Sequence, residues 1–243
     1  MIRVLNILAI IIFLTTSCEK NTVGDCFKST GAIEIEERSV SGFHTVLMKN
    51  NVSLFLVHSD IKKLKVEAGS NLIDNIITEV NDSILTISNL NSCNWVRDYS
   101  KPVNVYLDMS QVDTIQYRSS ADLICNDTIR KELFQVDVYE GSGTISLNVN
   151  INNCIINLHA GTADVILNGI TVNSYFYQNG YGRIDGGNCR SMSVYARNWG
   201  SNNLYLFAEK YLSVEIRNIG NIYYHGNPEI STTLSSDGIL IPY

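Results

Sequence analysis

The feature that most constrains the fold is a repeat of about twenty residues in the second half of the chain. Its copies are "QYRSSADLIC" (116–125), "VYEGSGTISL" (138–147), "LHAGTADVIL" (158–167), "YQNGYGRIDG" (177–186), "RNWGSNNLYL" (197–206) and "IRNIGNIYYH" (216–225). One column of the repeat is polar, with members 22, 20, 19, 20 and 18 residues apart: Asp122, Thr144, Asp164, Arg183, Asn203 and Asn221. A unit this short cannot enclose a core by itself, so each copy must stack on its neighbours.

Apolar residues alternate with polar ones after this column. The next residue is always apolar: Leu123, Ile145, Val165, Ile184, Leu204 and Ile222. A second strand precedes each turn, with equivalent pairs at Val136/Val138, Ile156/Leu158, Tyr175/Tyr177, Val194/Ala196 and Val214/Ile216. Period-two alternation indicates strands with one face inward. The sequence therefore predicts an all-β fold: a β-solenoid, like a right-handed parallel β-helix, with rungs over 111–230. A sandwich of antiparallel hairpins is the alternative, but it would not require so regular a spacing.

The strands outside this range repeat less clearly. Runs such as "VSLFLVH" and "SILTIS" predict an N-terminal β region over 31–110, and whether it forms a separate subdomain stays open. Within it, "NLIDNIITEV" (71–80) has the spacing of one short helix, although its β-branched residues argue against that. Near the other end, Gly226, Asn227 and Pro228 predict a turn that stops the ladder, because proline donates no hydrogen bond. Residues 231–243 would then form a tail.

The first residues predict export and lipid attachment. Arg3 precedes the apolar run "VLNILAIIIFL" (4–14), which is shorter than the about 20 residues of a membrane span. The small residues of "TTSC" then lead to Cys18, as in bacterial lipoprotein signals. We expect a signal peptide over 1–17, a lipid on Cys18 that holds the protein to the membrane, and a polar tether over 18–30. The expected location is the outer membrane, facing the periplasm or the cell surface. An ordinary secretory signal or a short buried helix is the alternative.

The charge and the cysteine content argue against a nucleic-acid-binding protein and against a complete disulfide framework. The net charge is −6 and no run of Lys or Arg occurs, which argues against a nucleic-acid partner. Five cysteines follow Cys18, and an odd number cannot close into a complete disulfide framework. We expect buried, free thiols at most of them. Cys26 and Cys93 lie in polar surroundings, so a disulfide between these two is the alternative.

The order of these motifs resembles a known family. The segment that begins "GFHTVLMKNNVSLFLVH" at residue 42, the turns "GSGT" and "GTAD", and "YHGNP" at 224–228 together resemble the putative auto-transporter adhesin, head GIN domain family. The resemblance covers roughly residues 42–228. It implies a β-helix-like body on the cell envelope of the kind found in Bacteroidetes lipoproteins, with an adhesive role. It implies no catalytic residue, and this chain departs from the pattern where "GYGRI" and "WGSNNL" lack the Asp.

The candidate functional residues are aromatic and lie at outward positions. We expect a non-catalytic module that binds a protein or glycan, with neither cofactor nor metal, because no nucleophile elbow, P-loop, HExxH or EF-hand motif occurs. The candidate binding residues are Tyr139, Tyr195, Trp199, Tyr205, Tyr223 and His225. Packing between neighbouring rungs is the simpler explanation for such aromatic residues. Three Asp-Ser/Thr-apolar tripeptides predict O-glycosylation at Ser83, Thr114 and Thr128.

A carbohydrate-binding or polysaccharide-processing protein is the alternative function. Asp122 and Asp164 would lie two rungs apart, at about 9.6 Å if stacked. That separation is at the outer edge of the range for inverting glycosidases. Convergence of these two carboxylates with Asp185 and Arg183 in a cleft would favour an enzyme. Their dispersal along turns would favour a structural role, since Asp commonly caps turns.

Overall fold

The computed structural model describes residues 29–59, 63–92 and 103–243, which form a β-solenoid of about six turns of roughly 20 residues. The described strands are β1 (Ile33–Ser39), β2 (Thr45–Asn50), β3 (Ser53–Val57), β4 (Lys63–Gly69), β5 (Ile76–Asn81), β6 (Ile84–Asn89), β7 (Asn104–Asp108), β8 (Thr114–Ser119), β9 (Leu123–Ile129), β10 (Leu133–Val138), β11 (Thr144–Leu158), β12 (Asp164–Gln178), β13 (Ile184–Asn198), β14 (Leu204–Ile216), β15 (Ile222–His225), β16 (Glu229–Leu234) and β17 (Leu240–Pro242). Among the same described residues, 3₁₀ turns occur at Ile73–Asn75 and Met109–Gln111.

Parallel pairing between successive rungs builds two walls. Wall A consists of β6, β2, β8, β10, the second halves of β11 to β14, and β16. Wall B consists of β7, β3, β9, the first halves of β11 to β14, β15 and β17. The long strands therefore cross from one wall to the other within a single rung. The predicted β-solenoid with rungs of about twenty residues is confirmed.

The core is a set of apolar ladders between the two walls. The predicted inward column on wall B is fully buried: Leu123, Ile145, Val165, Ile184, Leu204 and Ile222. On wall A, however, the equivalents of Ile156 and Leu158 are Phe176 and Gln178, not Tyr175 and Tyr177. The spacing between these two rungs is 20 residues, and a slip of one residue exchanges the two faces of a strand. Tyr175 and Tyr177 consequently point outward.

The N-terminal strands join the same solenoid in an order that differs from the chain order. β2 lies between β6 and β8, and β3 lies between β7 and β9. The rung of β2 and β3 is thus stacked between two rungs that come later in the chain. Antiparallel strands continue the sheet beyond it, with β5 on β6, β4 on β7 and β1 on β4. They cover the parallel edge that would otherwise be open to another chain.

The segment considered as a short helix forms only a 3₁₀ turn, Ile73–Asn75, followed directly by β5. Its β-branched side chains lose rotamer freedom in a helix and are accommodated readily in a strand. The helical alternative for residues 71–80 was therefore wrong, and this stretch contributes to the antiparallel end of the solenoid.

The ladder continues past the proline that was expected to stop it. β16 pairs in parallel with β14, and β17 pairs in parallel with β15. Pro228 lies between β15 and β16, where no ladder hydrogen bond requires its missing N–H. The prediction of a terminator was wrong, and the residues expected to form a tail add another rung.

The polar column connects the turns of neighbouring rungs. The backbone N–H of Thr144 donates to Oδ1 of Asp122 at 2.8 Å, and that of Arg183 donates to Oδ1 of Asp164 at 2.9 Å. Asn203 accepts from the N–H of Asn221 in the same way at 3.1 Å. The column thus supplies acceptors for N–H groups where the turn leads into the strand. This role explains why Asp and Asn recur there, because both offer a side-chain oxygen at the same distance from the backbone.

Candidate functional site: a tyrosine groove on wall A

Two outward tyrosines stack on wall A. Parallel pairing places Ile155, Tyr175, Tyr195, Ser213 and Ser231 in one outward column, which we call the tyrosine column. The ring centroids of its two tyrosines are 5.0 Å apart and the ring planes differ by 7°. This distance is close to the spacing of neighbouring strands, about 4.8 Å. The backbone ladder therefore sets the position of both rings.

A charged column runs beside it. Asn157, Tyr177, Arg197, Glu215 and Thr233 are in register on successive rungs. Nε of Arg197 lies 3.5 Å from Oε2 of Glu215. The neighbouring guanidinium of Arg217 contacts the other carboxylate oxygen of the same residue. The carboxylate is thus held between two cations.

The two columns enclose a groove, which we call the tyrosine groove. Its main part has a volume of about 510 Å³ and is lined by Tyr175, Tyr177, Tyr195, Arg197, Ser213 and Glu215 among others. An adjoining depression of about 280 Å³ shares Tyr195 and Ser213 and extends to Tyr211, Glu229 and Ser231. Aromatic faces therefore lie directly beside hydroxyl, carboxylate and guanidinium groups.

An aromatic ladder borders the groove where wall A meets the turns. The ring centroids of Tyr139 and His159 are 4.9 Å apart, those of His159 and Tyr177 are 5.6 Å apart, and those of Tyr177 and Trp199 are 5.3 Å apart. The guanidinium of Arg118 covers the first ring, 4.5 Å from its centroid, and that of Arg217 covers the last at 4.2 Å. Cation–π contacts of this kind stabilise both ends of the ladder. Among the predicted binding residues, Tyr139 and Trp199 lie in this ladder.

The remaining predicted aromatic residues meet on wall B. The rings of Tyr205 and Tyr223 stack with centroids 5.0 Å apart. Tyr243 lies across them, with its centroid 3.8 Å from that of His225. Burial raises the pKa of the Tyr243 hydroxyl, and the charge of Asp185 raises it further. The structure therefore brings Tyr205, Tyr223 and His225 together, but the ring of Tyr243 packs against all three.

The predicted glycosylation sites lie on separate elements. Ser83 is half-buried in the turn between β5 and β6 and has a positive φ of 63°. Thr114 and Thr128 are half-buried in β8 and β9, respectively. Glycosylation at these residues remains a prediction.

The carboxylates considered for catalysis are distributed along the turns and strands. Asp122 and Asp164 accept the backbone hydrogen bonds of the polar column, and Asp185 lies 4.0 Å from the guanidinium of Arg183. Within residues 29–59, 63–92 and 103–243, no cluster of three His, Cys, Asp or Glu side chains could hold a metal ion. The alternative of a polysaccharide-processing enzyme gains no support from these carboxylates.

Three of the cysteines are free and buried, as predicted: Cys125, Cys154 and Cys189. Burial raises the pKa of the Cys125 thiol to about 11 and that of Cys189 to about 12. Cys18, Cys26 and Cys93 lie outside the described residues, as do the predicted signal peptide and nearly all of the tether. In the part of the chain that the structure describes, no helix has the length and apolar character needed to cross a bilayer.

Sequence reasoning missed most residues of the groove, although a signal was present. Only Tyr195 had been singled out, whereas the groove also uses Tyr175, Arg197, Ser213 and Glu215. Ile155, Tyr175 and Tyr195 are each 20 residues apart. A strict period of 20 would have placed these residues in one outward column.

A family model settles the relationship suggested by the motifs. The model described as "Putative auto-transporter adhesin, head GIN domain" matches residues 42–228, which is most of the chain. The chain belongs to this family. The resemblance noted in the sequence is confirmed over the same range, and an adhesin-like family is consistent with a protein of the cell envelope or surface. No curated protein sequence matches the chain.

Several solved structures share the fold. A putative adhesin from Bacteroides fragilis has a TM-score of 0.76 at 18% identity, covering 87% of this chain and 97% of its own. A putative lipid binding protein from Parabacteroides distasonis has a TM-score of 0.66 at 19% identity, covering 88% and 98%. A putative adhesin from Parabacteroides merdae has a TM-score of 0.59 at 13% identity, with the same coverage of both chains. At these identities the likeness concerns the fold alone.

Proposed function

We propose that this head GIN domain protein is a non-catalytic, lipid-anchored adhesin of the cell envelope that contacts its partner through the tyrosine groove. The observation that carries the proposal is the groove itself, in which two stacked tyrosines adjoin polar and charged groups on a hydrogen-bonded wall. The family description and the names of the structural relatives support an adhesive role. One structural relative is described as a putative lipid binding protein.

The physical properties of the groove suit recognition. Tyrosine offers a large contact surface with few rotatable bonds, so it loses little conformational entropy on binding. Both rings of the tyrosine column are positioned by a hydrogen-bonded ladder, which reduces the cost of ordering them further. The volume of the groove, about 510 Å³, lies within the range of about 300–1,000 Å³ that is usual for ligand sites.

The anchor is tested by Cys18→Ala. We expect the wild-type protein in the membrane fraction, because acyl chains attached at Cys18 anchor it stably. The variant has no thiol to acylate, so a larger share of it should be in the soluble fraction. Metabolic labelling with a palmitate analogue should mark only the wild type. An unlabelled wild-type protein, or a variant labelled as strongly as the wild type, would contradict the anchor.

The adhesive role is tested on cells that display the full chain. The double variant Tyr175→Ala/Tyr195→Ala should reduce attachment to glycoprotein-coated surfaces, because it removes the aromatic wall of the groove. Tyr181→Ala is the matched control, since this tyrosine is 74% exposed and lies outside the groove. Equal attachment of the wild type and the double variant, at equal surface levels, would refute the assignment of the groove.

A further inference from the structure

The tyrosine column stops abruptly at one end of the stack. Parallel rings with centroids 5.0 Å apart overlap face to face in an offset stack, so Tyr175 covers one face of Tyr195. The next two members of the column are Ser213 and Ser231. Their side chains are too short to cover the other face, and Tyr195 remains 49% exposed. The column thus leaves an uncovered aromatic face with a gap of two rungs beside it, about 9.6 Å along the solenoid axis.

We propose that this gap binds an uncharged pyranose ring of a glycan, stacked on Tyr195 where a third tyrosine would continue the column. The proposal rests on the proposed adhesive function and names the ligand class for the same groove. One face of a pyranose carries C–H groups that pack on an aromatic ring, while its hydroxyls project from the edge. The gap is deep enough for one such ring with its substituents.

The rim of the gap favours a sugar over an aromatic side chain. Hydroxyls of Ser213 and Ser231 and carboxylates of Glu215 and Glu229 surround it. Sugar hydroxyls can donate to these carboxylates in charge-assisted hydrogen bonds. A phenyl ring in the same place would desolvate these polar groups without replacing their hydrogen bonds to water, which costs free energy.

The charges of the rim favour an uncharged sugar. Arg197 is the one Lys or Arg among the described residues that line the groove and its adjoining depression. Its guanidinium lies 3.5 Å from the carboxylate of Glu215, which Arg217 also contacts. Glu229 adds a second carboxylate on the opposite side. A uronic acid or sialic acid would meet the carboxylate of Glu229, while both cations beside Glu215 are already paired with its carboxylate, so like-charge repulsion disfavours it.

The decisive variant is Ser213→Tyr, which completes the column. Its ring should stack on Tyr195 as Tyr195 stacks on Tyr175, so that the protein folds normally while the gap is filled. Ser146→Tyr is the matched control, because Ser146 occupies an outward strand position on wall B, where its neighbour in register is Ile166. Tyr195→Ala removes the platform from the other side and keeps the proposal testable if Ser213→Tyr fails to fold.

The full chain and the three variants are titrated calorimetrically with soluble probes, after circular dichroism has verified folding. The probes are neutral hexose and N-acetylhexosamine oligosaccharides, an oligogalacturonate and a tyrosine-containing peptide. We expect binding of at least one neutral oligosaccharide, weakened about tenfold or more by Ser213→Tyr and Tyr195→Ala, which corresponds to about 1.4 kcal/mol. Ser146→Tyr should bind as the wild type does.

Three results would overturn the proposal: no neutral oligosaccharide binds, the uronate or the peptide binds more tightly than every neutral sugar, or Ser213→Tyr leaves affinity unchanged. These results are distinguishable from failure of the adhesive function. If Tyr175→Ala/Tyr195→Ala abolishes cell attachment but no neutral sugar binds, the groove is adhesive and the ligand class is wrong. If attachment persists in that double variant, the adhesive function of the groove itself is wrong.

Discussion

Replacement of Asp164 by alanine isolates the contribution of one hydrogen bond of the polar column. Oδ1 of this half-buried residue accepts from the backbone N–H of Arg183 at 2.9 Å. Alanine would leave that N–H without its partner, at a cost of about 1–3 kcal/mol for a buried donor. Because the turn is only half-buried, water can replace part of the bond, so we expect a loss of about 1–2 kcal/mol.

The measurement is the free energy of unfolding from urea titration, together with the melting temperature. For a domain of this size each kcal/mol lowers the melting temperature by about 2–4 °C, so Asp164→Ala should melt about 2–8 °C lower. Asp164→Asn is the control, because Asn203 and Asn221 accept the equivalent bonds at 3.1 and 3.0 Å. Asn should stay within about 0.5 kcal/mol of the wild type. An unaffected Ala variant, or an Asn variant as unstable as Ala, would refute the reasoning.

Two further predictions concern the core and the acid response. Leu167→Asp places a charge opposite Leu147 in a fully buried ladder and should cost more than about 4 kcal/mol; an unchanged urea midpoint would show that this face is not inward. Hydrogen bonds from Asn104 and Tyr106 lower the pKa of Glu67 in the folded state, so its stabilisation is present above its ordinary pKa and is lost as pH falls through the lowered value. The free energy of unfolding of the wild type should therefore exceed that of Glu67→Gln by more at pH 7 than at pH 3. An equal difference at both pH values would count against this role of the Glu67 hydrogen bonds.

The regular part of the solenoid was predictable because its information is local and periodic. Leu123, Ile145 and Val165 recur after a polar residue that ends each turn, and alternation alone assigns them to the interior. The same reasoning failed at Tyr175, because the second strand of that rung lacks an apolar pair at the expected spacing. The packed position is Phe176, a ring without a hydroxyl that needs a hydrogen-bond partner.

The groove was largely hidden from sequence reasoning. Tyr195 is recognisable as an outward aromatic residue, but its exposed face depends on which residue occupies the next rung. That residue is Ser213, only 18 positions later, because the rungs of β13 and β14 shift register at two irregular points. Irregularities of this kind change the number of residues between equivalent positions of neighbouring rungs, and no change in composition marks them. The neighbour of an outward residue therefore cannot be assigned from an average period.

By itself, the sequence determined the class of fold, the length of the rung and the inward ladder, since short units with alternating apolar residues bury their surface only by stacking. Only the tertiary structure decided which strands are neighbours at the ends. The rung of β2 and β3 lies between that of β6 and β7 and that of β8 and β9. Antiparallel strands close this end, and β16 and β17 extend the other end beyond Pro228. Such pairings form between backbone groups distant in sequence. Because backbone groups are the same in every residue except proline, the residue types do not specify which strands pair.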